Sequence, residues 1–141
     1  MENFGLIYPM AAMVLLTCTV LAALFRARTR SVAAGQVSGS YFRTYRGAEE
    51  PDASIQLSRH FANIFEAPTL FYVVCLAAMI VNQTAWQFHL LAWAYVLLRA
   101  AHAHIHIGEN RLRPRILVYF TSWIVLVLMW LYVTAAVFFS N

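Results

Sequence analysis

Apolar residues along this chain fall into four long runs: Phe4 to Phe25, Phe61 to Val81, Trp86 to Ile107 and Ile116 to Phe139. Each has about the 20 residues that a helix needs to cross the hydrocarbon core of a bilayer, so the pattern predicts four transmembrane helices. The connections Val81 to Trp86 (VNQTAW) and Gly108 to Arg115 (GENRLRPR) are short, and short links force consecutive helices to pack antiparallel. The expected fold is all-α, an integral membrane four-helix bundle of up-down topology, as one domain over residues 1–141. Only the connection from Arg26 to Leu57 is long. Its polar, Gly- and Ser-bearing RARTRSVAAGQVSGS stretch, followed by YFRTYRGAEEPDAS, predicts irregular or short helical structure. The opening MENFGLIYPM lacks the basic segment of a signal peptide and leads into a long apolar run, which predicts a retained helix.

Composition agrees with a membrane solvent. Hydrophobic residues make up 62% of the chain and charged ones only 11%, against roughly 25% charged in a soluble domain. The net charge of +4 comes from ten arginines and no lysine. With no soluble surface on which to lay a basic groove, nucleic acid is not an expected partner. The arginines are strongly asymmetric. Those at 26, 28, 30, 43, 46, 59, 111, 113 and 115 all fall in or beside the first and third connections. The N-terminus, the VNQTAW turn and the C-terminus have none. By the positive-inside rule, loops 26–57 and 108–115 are cytoplasmic and both termini lie on the opposite side. Cys18 and Cys75 sit within apolar runs with no CxxC and no histidine at ligand spacing, and read as buried small hydrophobes. The four tryptophans read as interfacial belts and packing.

Ionisable residues inside spanning helices are costly, so those present are candidates for function. Arg59, Asn63 and Glu66 stand at i, i+4 and i+7, which at 3.6 residues per turn puts them on one helical face. That polar stripe faces either the bundle interior or a subunit interface. Along the third run, Arg99, His102 and His106 share a face and His104 points away. Three histidines of this one helix therefore do not converge on a metal. His102 and His106 alone have zinc-ligand spacing, with only Glu66 or Glu109 to complete a shell by tertiary contact, and no metal is expected. Arg115 follows Pro114, a residue favoured in the first turn of a helix. It should sit at the N-terminal end of the fourth run, where free amides and the helix dipole add to its charge. Tyr119 follows one turn on. Cations, amides and a phenol on one patch suit an anion: a small ligand with several carboxylates, or a thiol in need of thiolate stabilisation.

Four spans in about 140 residues, RxxxNxxExP at the second span (Arg59, Asn63, Glu66, Pro68), and RxxHxxxxxG followed by RxPR (Arg99, His102, Gly108, Arg113, Pro114, Arg115) resemble the MAPEG family, the membrane-associated proteins in eicosanoid and glutathione metabolism. In motif layout the chain is similar to the prostaglandin E synthase-like branch. The resemblance implies a homotrimer in the lipid bilayer with glutathione as co-substrate at the subunit interfaces, on the cytoplasmic half. Arg115 would be the catalytic residue that stabilises the thiolate. Arg59, Asn63, Glu66, Arg99, His102, His106, Arg113 and Tyr119 would line the glutathione site, with Arg26 or Arg28 from the basic end of the first span. The activity implied is that of a transferase, peroxidase or isomerase acting on a lipophilic small-molecule electrophile. Ala62, His106 and Ile116 depart from that branch, which has an arginine, a tyrosine and a serine there. The alternative is a non-catalytic protein of the same fold that binds another anionic ligand or serves a structural role.

Overall fold

The computed structural model describes residues 3–47 and 49–140; Met1, Glu2, Ala48 and Asn141 lie outside them. Helix α1 spans Ile7–Ala33 after a 3-10 turn at Asn3–Leu6, and the short α2 spans Tyr41–Thr44. Helix α3 covers Asp52–Ile64, α4 Ala67–Ile80, α5 Trp86–Ile107 and α6 Leu112–Ser140. α5 lies along α6, α3 along α1 and α5, and α4 against α6.

The first helix does not stop at Phe25. It continues through Arg26, Arg28 and Arg30 to Ala33, because arginine and alanine are good helix formers and Ser31 is buried near its end. The second begins at Asp52, well before Phe61, and then breaks. The expected irregular connection thereby shrinks to 34–51, with α2 inside it.

Three stretches, Phe4–Ala33, Asp52–Ile80 and Leu112–Phe139, are long and apolar enough to cross a membrane. α5 is not among them. Its 22 residues would reach about 33 Å at 1.5 Å per residue, but Arg99 and three histidines crowd its second half and lower its hydropathy. Large apolar side chains, including Leu15, Phe25, Ile80, Leu97, Leu117 and Phe138, are exposed. A water-soluble monomer does not tolerate apolar surface on this scale. The chain is an integral membrane protein. Cys75 is buried as expected, whereas Cys18 lies on an exposed face, since α1 turns much of its circumference outward.

The core is polarised along the bundle. One end packs Leu6, Met13, Phe71, Val74, Ala78, Phe88, Ala92, Tyr95, Leu126, Met129 and Val133. Alanines there let helices approach closely, the usual device where lipid removes the hydrophobic drive between helices. The Phe71 and Tyr95 rings stack at 4.6 Å. Towards the other end, the buried stripe of α5 changes from Phe88, Ala92 and Val96 to Arg99, His102 and His106 with no change of period.

Candidate functional site

Three local features build the polar end. The first is the break between α3 and α4. Pro68 has no N–H to offer the Ile64 carbonyl and its ring crowds that carbonyl. Phe65 and Glu66 instead donate to the carbonyls three residues back, Ala62 and Asn63, at 3.0 and 3.4 Å. The Thr69 hydroxyl caps the Phe65 carbonyl at 2.7 Å. The break also makes the Asn63 backbone available to a neighbour: Arg99 Nη2 donates to its carbonyl oxygen at 3.3 Å and to its Oδ1 at 3.4 Å. Arg99 is only 2% exposed, and hydrogen bonds to a charged group contribute about 1.5–3 kcal/mol each. Its guanidinium also lies 5.9 Å from the Tyr119 ring centre, within cation–π range.

The second feature is the turn between α5 and α6. Gly108 closes α5, and a Cβ there would stand 2.9 Å from the His104 carbonyl oxygen. Asn110 follows in the left-handed region at φ +50°, a conformation that asparagine tolerates better than most residues. Its N–H returns to the Ile105 carbonyl at 2.9 Å and its Oδ1 accepts from Arg115 Nη1 at 2.6 Å. α6 starts at Leu112, so Pro114 falls in the first turn, where its missing N–H costs nothing. The Arg115 amide, expected to be free, donates to the Arg111 carbonyl at 3.2 Å. Arg115 therefore offers its side chain, not its amide.

The third is the face of α3 made by Ser54, Leu57, His60 and Ile64, all buried. It packs His60 against α5. The Gln56 side-chain amide donates to the His106 carbonyl, tying the two helices at this level.

Two adjoining cavities result. The smaller, about 170 Å³, is lined by Asn63, His102, His106, Arg115, Ile116 and Tyr119. The larger, about 480 Å³, is lined by Asp52, Ile55, Gln56, Arg59, Asn63, His106, Asn110 and Arg115. Asn63, His106 and Arg115 belong to both walls. The larger volume falls within the ~300–1,000 Å³ of small-molecule sites.

The structure thus gathers Arg59, Asn63, His102, His106, Arg115 and Tyr119 around one space, with Arg99 buried behind it. Others stand elsewhere. Arg28 pairs with Glu50 at 3.7 Å, donates to Ser58 Oγ at 3.4 Å and lies over the Phe42 and Tyr45 rings, which pins the 34–51 connection to α1 and α3. Arg26 and Arg113 are exposed and line neither cavity. The helix break interrupts the stripe expected of Arg59, Asn63 and Glu66: Arg59 and Asn63 border the larger cavity, whereas Glu66 is exposed and lines neither. Arg111 pairs with Glu109 on the surface, where such pairs contribute little.

His60, Gln56 and Asn110 were not among the candidates drawn from the sequence. The signal for His60 was the apolar and small periodicity of Ser54, Leu57, His60 and Ile64, legible only once a helix is begun at Asp52. The His60 ring centre lies 5.5 Å from that of His102 and 4.9 Å from that of His106; the latter two are 5.6 Å apart. His104 is exposed, as the helical spacing required. Both ring nitrogens of His60 and of His102, and Nδ1 of His106, are buried without a hydrogen-bond partner among the described residues. Each such group costs about 1–3 kcal/mol.

Fold and site together define a helical membrane protein with a cationic polar pocket at one end of its bundle. The chain belongs to the MAPEG family, whose model matches residues 6–135. Comparisons with curated proteins and with solved structures returned no match.

Proposed function

We propose that this protein is a glutathione-dependent membrane transferase, peroxidase or isomerase of the prostaglandin E synthase-like branch, acting on a lipophilic electrophile that arrives through the bilayer. The observation that carries the reading is the shared space walled by Arg59 and Asn63 of α3 and Arg115 of α6, two cations and an amide from two helices. Family membership supports glutathione as the anion, and about 480 Å³ is room for a tripeptide. Glutathione supplies a thiol whose thiolate is the nucleophile.

The chain's own residues have distinct tasks in this reading. Arg115, steadied by Asn110, places a permanent cation on the cavity wall and holds the sulfur's negative charge. Arg59, exposed at the rim, grips a carboxylate in bidentate fashion. Arg99 positions Asn63 from behind, and the Tyr119 phenol offers a hydroxyl one turn from Arg115. Glu66 faces outward from the same helix pair and takes an ammonium in a site completed by a neighbouring copy. Family membership supports a homotrimer of four-span protomers, with α5 as the remaining span. Loops 26–57 and 108–115 are then cytoplasmic, and both termini lie on the far side.

Titrating reduced glutathione into the detergent-purified protein by calorimetry tests the assignment. The expected result is saturable binding, weakened at least about tenfold, or 1.4 kcal/mol, by Arg115→Ala, together with loss of conjugation to a reactive aryl halide. Absence of heat at millimolar glutathione favours the second reading, a non-catalytic protein binding another anion. Ala62, His106 and Ile116 are the residues on which that reading rests.

A further inference from the structure

We propose that His60, His102 and His106 form a metal site of the three-histidine zinc type, with its fourth position open to the smaller cavity. The spacing is the first argument. For tetrahedral zinc with metal–nitrogen bonds of about 2.0–2.1 Å, three imidazole ring centres lie about 5.3 Å apart; here they lie 5.5, 4.9 and 5.6 Å apart. One candidate nitrogen from each ring already falls within 4.8 Å of the other two.

The second argument is the state of those nitrogens. Five of the six are buried with no partner among the described residues. The main chain of Arg115 approaches His102 without reaching hydrogen-bonding geometry. A neutral imidazole carries one N–H donor and one lone-pair acceptor. A metal ion uses one lone pair of each ring at once and gives three adjacent buried imidazoles a common partner. His102 and His106 stand one turn apart on α5, and His60 reaches across from α3, so the site clamps two helices at the level where Gln56 also ties them.

The third argument is access. His102 and His106 line the smaller cavity and His60 packs against both of their rings, so a fourth ligand would come from the cavity side. Arg115 lines that cavity too. Its charge and that of Arg99 disfavour a bare dication, so the fourth ligand is an anion, hydroxide in the resting protein. Among the described residues no carboxylate hydrogen-bonds the three rings, so affinity falls below that of carboxylate-supported sites by about the 10–100-fold such partners contribute.

The assignment does not depend on glutathione, and its test omits it. Full-length protein carrying a tag free of histidine is purified in detergent, stripped with a chelator, freed of the chelator, and titrated with Co²⁺ and then Zn²⁺. The expected result is one equivalent per chain, with the visible absorption of four-coordinate Co²⁺ displaced by Zn²⁺. His60→Ala and His102→Ala should each abolish stoichiometric binding, and His104→Ala, the exposed histidine of the same helix, should retain it. Where an alanine variant elutes as misfolded protein, His60→Gln and His102→Gln replace it and are expected to lose binding too. No bound metal in the native protein, binding that survives loss of His60 or His102, or binding that requires His104 overturns the proposal.

Discussion

At the scale of single residues, the buried Arg99 organises the polar end. Its only hydrogen bonds among the described residues go to Asn63, and these exist because Pro68 breaks the helix next to that asparagine. Removing one partner of a buried charge is worse than removing the charge itself. Asn63→Leu is therefore expected to lower stability in detergent by about 1.5–3 kcal/mol, and Arg99→Met by less, read from equilibrium unfolding of the two variants side by side. A larger loss for Arg99→Met would show that the guanidinium stabilises the bundle beyond this contact. The alignment of Arg99, His102 and His106 was legible in the sequence, since 3.6 residues per turn places them on one stripe. The partners of Arg99 were not, because they lie on a helix whose continuity the sequence pattern overstated.

At the scale of elements, the turn between α5 and α6 sets where Arg115 stands. Gly108 has no room for a Cβ against the backbone oxygen of His104, whereas Gly39 has no atom within 4 Å of its own. Neither residue has a left-handed φ, so space alone separates them. Gly108→Ala is expected to cost stability by about 1–3 kcal/mol and to weaken glutathione binding by moving Asn110 away from Arg115. Gly39→Ala should leave both unchanged, as thermal unfolding and calorimetry on the same samples would report. The length of α1 belongs to this scale as well. Charged residues ended the apolar run at Phe25 but did not end the helix, because arginine ends a membrane-compatible stretch and not the backbone hydrogen bonding.

For the whole molecule, the distribution of arginine and the polarised core agree in direction. The apolar cluster occupies the end of the bundle near the VNQTAW turn, and the cavities lie near the arginine-bearing connections. The positive-inside rule then predicts that the cavities lie in the cytoplasmic half. The expectation is checked with Arg43→Cys, an exposed position of α2, in a background with Cys18 and Cys75 replaced by serine. A membrane-impermeant maleimide should label it in inverted vesicles and not in intact cells, and the opposite pattern would reverse the topology.

The long apolar helices, the stripe of α5 and the concentration of arginine on two connections were legible in the sequence, because hydrophobic period and charge placement act locally along the chain. It also carried enough motif to suggest the family. The break at Glu66 has a local cause in Pro68, which the apolar pattern masked. That Arg28 is taken up in pinning the long connection and that His60 meets His102 and His106 emerge only in the folded chain. Those outcomes depend on which faces of α3 meet α1 and α5. That choice is made by packing between residues some forty positions apart, and no local periodicity encodes it.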